Sequence, residues 1–328
     1  MDVLAIFLQN ITSPPILFFI LGVIAGFLKS DLDIPDQISR YLAIYLMMAI
    51  GFKGGIAIAA TPEIDMEIII VILAGLVTGF TQPFIGYWLL KKTTKLDGAT
   101  AAAVAAHYGS ISMVTFVTAV SFLEINNVFY AGYIVAVLAL MEAPAILTGL
   151  FLAHRSDPNT INSTAQATPR LMKEIFTNGA ILLLTGSFII GAISGEAGMA
   201  KMQGFLVTPF HGILAFFLLD MGLLVSKQMH HLKEFNFRLF LFGIYMPLIG
   251  FTVGLALSTM IGLDVGTGFL FTVLIASSSY IAVTAAMRVA LPEAKAAIYI
   301  PMTLAITFPF NIGLGIPLYY YVCNLVLG

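Results

Sequence analysis

The chain has 328 residues, of which 59% are hydrophobic and only 10% charged, and its formal net charge is −2. A soluble globular chain carries roughly 25% charged residues, so this composition, with a mean hydropathy of +0.99, excludes one. A pI near 6.2 and the lack of a basic run argue against nucleic-acid binding. The single cysteine, Cys323, excludes an intrachain disulfide framework or a cysteine metal cluster.

The apolar residues come in long blocks without period-2 alternation, which rules out a membrane β-barrel. Each block is long enough to span a hydrocarbon core of about 30 Å as a helix. In chain order the sequence predicts ten spans, at 13–30, 36–59, 66–90, 97–123, 128–153, 173–194, 206–229, 238–261, 265–290 and 296–325. The N-terminus has no basic stretch, so the first block reads as a retained span and not a signal peptide.

With the N-terminus outside, the cytoplasmic connections hold Lys29, Arg40, Lys91, Lys92, Lys95, Arg155, Arg170, Lys173, Lys227, Lys233, Arg238, Arg288 and Lys295. Of the remaining basic residues, only Lys201 falls outside, and Lys53 lies within a span. This asymmetry follows the positive-inside rule and sets both termini outward. The polar connection 154–170, rich in Ser, Thr, Asn and Pro, divides the chain into halves 1–153 and 171–328.

The halves resemble each other. Ser110 to Thr115 matches Ser279 to Thr284, and further along Pro144 falls opposite Pro309 in a register shifted by four residues. Five spans per half make the second copy run the opposite way, an arrangement typical of carriers that work by alternating access. The fourth and ninth spans also have the most polar midsections, with His107, Ser110 and Ser112 in one and Ser277, Ser278, Ser279 and Tyr280 in the other. Irregular backbone at that depth is tolerated only where it is buried or lines a cavity. Two broken helices meeting there would aim N-terminal N–H groups at an anion. Close helix packing through small and hydroxyl side chains is the alternative reading.

Three ionisable residues fall inside spans, where charge is costly and points to function. Glu142 stands before Pro144, which loosens its helix, and suits either Na⁺ or a proton. Its counterpart region offers Thr307, Pro309 and Asn311. Lys53 and Asp220 lie on corresponding spans and are expected either to pair or to leave Lys53 as a fixed cation beside the coupling ion. His107 could titrate near neutral pH or serve helix packing. Glu124 and Glu293 read as solvated span ends. No H-E-x-x-H or G-x-S-x-G pattern suggests an enzyme.

Several strings make the chain resemble the sodium-dependent bicarbonate transporter family, best known from cyanobacterial uptake permeases. They are Gly51 to Ile58, Ala106 to Ser112, Met141 to Pro144, Ala276 to Tyr280 and Pro309 to Gly315. The resemblance implies an all-α membrane protein of two inverted five-helix repeats, with core and gate domains and broken crossing helices 4 and 9. It implies a homotrimer in the lipid of a bacterial inner membrane, without cofactors, importing bicarbonate with sodium as coupling ion. By position it implies substrate contacts from Ser110, Ser112 and Thr115 on one break and Ser277, Ser278 and Ser279 on the other.

The chain departs from the cyanobacterial pattern at Tyr280, where those relatives carry an acid, and at Lys53, where they carry Thr. It also has Met113 and Val114 where they have Gly and Ser, Glu142 in place of an Asp, and a shorter cytoplasmic connection for a PII-like regulator. Another small anion, or a sodium/proton exchanger of similar fold, is the alternative function.

Overall fold

The computed structural model describes residues 3–60, 66–156 and 179–328. Every regular element among them is helical, and seven helices are long and apolar enough to cross a membrane. Helix α1 is Val3–Ile11 and α2 is Pro14–Phe27, with Pro14 and Pro15 in its first turn, where the missing proline N–H costs nothing. Helices α3 (Asp36–Ala59) and α4 (Met66–Thr93) follow the predicted spans closely.

The next span is split into α5 (Gly98–Gly109) and α6 (Met113–Ile125), and the one after into α7 (Ile134–Leu140) and α8 (Glu142–Ser156). In the second half lie α9 (Gly179–Met202), α10 (Phe210–Met229) and α11 (Phe237–Ile261). Then come α12 (Val265–Ala276), α13 (Ala282–Ala290) and α14 (Ala296–Val326). Two wide turns interrupt α14, at Met302–Thr307 and Asn311–Gly315.

Side chains cap the helices that start in connections. Asp97 accepts from the Thr100 N–H at 2.7 Å, Asn236 from the Leu239 N–H at 3.0 Å, and Asp264 from the Gly266 and Thr267 N–H groups, both at 3.0 Å. At the far end of α11, Gly262 takes a left-handed φ of 85°, which only glycine adopts without strain.

The helices sort into two groups. In the first, α2 packs on α10 and α3 on α9. Glycines let the backbones touch: a Cβ at Gly22 would meet the Leu219 carbonyl oxygen, and one at Gly222 the Phe19 carbonyl oxygen. In the second contact, Gly55 faces the Phe188 carbonyl and Gly191 the Phe52 carbonyl. Lipid supplies no hydrophobic drive between helices, so this close approach, with its van der Waals contact, is what holds such pairs. In the second group α4 packs on α5 and α8, while α11 packs on α12 and α14. The cores follow this division in part, with Ala101 to Val104, Ala106, Tyr108, Phe242 and Met287 buried together.

Three predictions need correction or restriction. The first span is preceded by the unpredicted α1, and α1 and α2 meet at a bend of 60°. Asn10 fixes α1 to the second group, donating to the Ile312 and Gly313 carbonyls at 3.0 and 3.2 Å. The connection 154–170 lies outside the described residues from 157 onward, as does the start of the sixth span.

Candidate functional site

The two interrupted helices break at matching depths and touch there. Helices α5 and α12 each have 12 residues, and each ends on a serine in extended conformation, Ser110 (φ −103°, ψ 166°) and Ser277 (φ −93°, ψ 177°). The Ser277 hydroxyl accepts from the Ser112 N–H at 2.8 Å, and the Ser279 N–H donates to the His107 carbonyl at 2.9 Å. Each break thus satisfies backbone groups that the other leaves open.

Side chains complete the joint. Ser112 caps α6, accepting from the Thr115 N–H at 3.2 Å and from its hydroxyl at 2.9 Å. The last carbonyls of α12 are all taken, Leu274 by the Ser277 hydroxyl, Ile275 by Gln82 and Ala276 by Asn311, at 2.9, 2.9 and 3.0 Å. The Ser110 hydroxyl reaches the Glu142 carbonyl at 3.4 Å, tying the first break to the α7–α8 junction. Helix α13 begins at Ala282 after Ile281, and the Ser279 hydroxyl accepts from the Val283 N–H of its first turn at 3.5 Å. Ser278 is buried, and its hydroxyl has no hydrogen-bond partner.

A cavity of about 570 Å³ adjoins this joint. It runs between α3 and α10 on one side and α6 and α13 on the other, with Glu142 and Tyr280 in its wall and Arg40, Gln228 and Arg288 also lining it. Tyr280 is buried, packs edge-on against Phe308 at 5.6 Å and lies 3.8 Å from the Met221 sulfur. The Glu142 carboxylate has no cation or hydrogen-bond donor against it among the described residues, although its backbone is tied to Ser110.

Other sequence-predicted residues fall elsewhere or into other roles. Lys53 does not pair with Asp220: its ammonium lies 2.9 Å from Glu124, which is therefore no solvated helix end. Asp220 instead lines the cavity beside Ser39. His107 is fully buried with both ring nitrogens engaged, Nδ1 at 2.6 Å from the Ala103 carbonyl and Nε2 at 3.1 Å from the Thr284 hydroxyl. Because a carbonyl only accepts, Nδ1 carries the proton, and stacking on Tyr299 at 4.7 Å completes a packing role. Asn311 is likewise committed, since its oxygen accepts from Tyr319 at 2.8 Å.

Sequence reasoning missed Gln82, Tyr108 and His211. Tyr108 donates to the Thr307 hydroxyl at 2.6 Å, and Thr307 in turn donates to the Gly243 carbonyl at 2.7 Å. Among the described residues no group of three or more His, Cys, Asp or Glu side chains could hold a metal ion.

Long apolar helices, two of them interrupted where they meet and flanked by a cavity, define a multi-pass membrane protein of the transporter class. A family model described as the Na⁺-dependent bicarbonate transporter superfamily matches residues 14–324, nearly the whole chain. The chain belongs to that superfamily. No curated protein matches it.

Proposed function

We propose that the protein is a secondary transporter that imports bicarbonate by alternating access, with sodium as coupling ion. The observation that carries this reading is the joint between the two breaks, where Ser112 and Ser277 bond across helix ends beside a cavity lined by Glu142 and Tyr280. Serine hydroxyls both donate and accept, which suits a small oxyanion that carries a proton. At the start of α13 the Ser279 hydroxyl accepts from the Val283 N–H at 3.5 Å, so a break serine already sits at a helix N-terminus of the kind that binds anions. In this reading Ser110, Ser112, Thr115 and Ser277 to Ser279 serve the anion, and Glu142 serves the coupling ion.

The helix pairing supports two inverted five-span copies. Exchanging the first two spans of each half turns the α2–α10 contact into the α9–α3 contact, as pseudo-symmetry requires. The paired helix α2–α10 and α3–α9 group would be the gate and the second group the core. The cavity lies toward the Arg40 and Arg288 ends of its helices, which the charge layout makes cytoplasmic, so the state would be inward-open. A homotrimer in a bacterial inner membrane, bound by a PII-like regulator, completes the reading.

A second reading is favoured by Tyr280. An aromatic ring fills the place where relatives have an acid, and a different small anion or coupling ion would follow. Radiolabelled bicarbonate uptake into proteoliposomes, with and without an inward Na⁺ gradient, decides between them. Gradient-driven accumulation is expected, and Glu142→Gln should remove its dependence on the gradient. No accumulation by folded wild-type protein would reject bicarbonate, and gradient dependence retained in Glu142→Gln would remove Glu142 from coupling.

A further inference from the structure

Three helices line the cavity and then continue beyond it to one cluster of charge. On α3 the cavity-lining residues run from Ser39 to Met47, and Lys53 follows. On α6 they are Met113, Val114 and Val117, and Ser121 and Glu124 follow. On α10 they run from Gln228 back to Phe217, and His211 lies beyond. At 1.5 Å per residue, Lys53 is about 20 Å along α3 from Arg40, and Glu124 about 16 Å along α6 from Met113. The cluster therefore sits beyond the cavity, toward the ends of these helices away from Arg40 and Gln228.

There the three helices are pinned together. Lys53 Nζ lies 2.9 Å from Glu124 Oε1 and His211 Nε2 lies 3.5 Å from Glu124 Oε2. His211 Nδ1 is 2.9 Å from the Ser121 hydroxyl, and because a carboxylate only accepts, the contact with Glu124 uses a proton on Nε2. The Lys53 ammonium also sits 4.2 Å over the Phe210 ring, and the Tyr130 hydroxyl reaches Glu124 at 3.5 Å. Lys53 is 13% exposed and Glu124 25%, so the pair is largely withdrawn from water. It joins α3 and α10, which pack on α9 and α2, to α6, which packs on α12.

We propose that Lys53, Glu124 and His211 form the latch that closes the face opposite the cavity, and that the transported anion opens it by taking the place of Glu124 on Lys53. Lys53 is then the cation that receives the anion at the latch. This rests on the transport reading for the anion, whereas the latch itself stands on the contacts. A positive charge held between two helix groups by a carboxylate is the natural point of entry for a competing anion. Its release would let the groups part along the line from Glu124 to Val117. Charge pairs of this kind contribute partner choice and register more than bulk stability.

The test uses the full chain in proteoliposomes, with Met113→Cys as reporter and the buried Cys323 replaced by Ala. A membrane-impermeant maleimide is applied from each side. Met113 lines the cavity and is partly exposed, so labelling from the cavity side is expected in every folded variant. From the opposite side, Glu124→Gln and, separately, Lys53→Met should speed labelling about tenfold. The swap Lys53→Glu with Glu124→Lys should restore the slow rate. Unchanged labelling from that side in both single variants, with cavity-side labelling intact, overturns the latch.

For the anion, Lys53→Met should raise the half-saturation concentration of bicarbonate presented on the latch side at least fivefold. The value for bicarbonate presented on the cavity side should not change. Equal values on both sides, beside normal wild-type uptake, overturn the role of Lys53. Absence of wild-type uptake rejects the transport reading instead, because the labelling result needs no substrate.

Discussion

Ser278 is an unusual side chain to bury, because its hydroxyl has no hydrogen-bond partner while every neighbouring serine at the breaks has one. A buried unsatisfied polar group costs about 1–3 kcal/mol. A residue kept only for packing would not carry that cost. Ser278→Ala should accordingly raise stability, by about 1 kcal/mol in thermal unfolding in detergent, and raise the half-saturation concentration for the anion about tenfold. A lower midpoint with unchanged uptake would return Ser278 to helix packing. The serines could be found in the sequence because hydroxyls and glycine at mid-span depth conflict with a lipid-facing helix. The partner of Lys53 could not. Its pairing with Glu124 spans 71 residues between different helix groups, and neither periodicity nor repeat symmetry reports on such a contact. Symmetry pointed to Asp220, which the structure leaves beside Ser39.

The element boundaries show where the internal likeness is tight and where it slips. Helices α6 and α13 begin at Met113 and Ala282, in the register of the sequence match between Thr115 and Thr284. Helices α5 and α12 end at Ser110 and Ser277, two residues out of that register. The second break is longer than the first, running from Ser277 to Ile281, and absorbs the difference. The sequence match could not detect this, since it starts at Ser110 and Ser279 and runs downstream from the breaks. Helix α1 was missed for another reason. Ser13, Pro14 and Pro15 look like the start of a span, and the polar Gln9 and Asn10 hide the helix before them. Helix contacts also make a prediction. The α2–α10 crossing brings Gly22 and Gly222 against carbonyl oxygens of the opposite helix. Gly222→Val should therefore cost about 1–3 kcal/mol. Gly186→Ala, on α9 with nothing within 4 Å of its would-be Cβ, should be neutral or stabilising. Unfolding in detergent measures both, and equal effects would mean that the crossing does not depend on close approach.

At the scale of the whole molecule, the lysine distribution predicts which ends of the helices face the cytoplasm. In a Cys323→Ala background, an impermeant thiol reagent should label Lys201→Cys in intact cells, and Lys92→Cys only after the membrane is opened. The reverse pattern would turn the cavity to face outward and place Lys53 on the cytoplasmic side. Either way, the path of the chain carries a mechanical consequence. Helix α1 is bolted by Asn10 to the carbonyls at a wide turn of α14, while α2, two residues later, is embedded against α10. One end of this elbow rides with one body and the other end with the second. If the transport cycle proposed above slides one group past the other, the chain must bend at Thr12 and Ser13, and α1 would act as a leash on how far the groups travel.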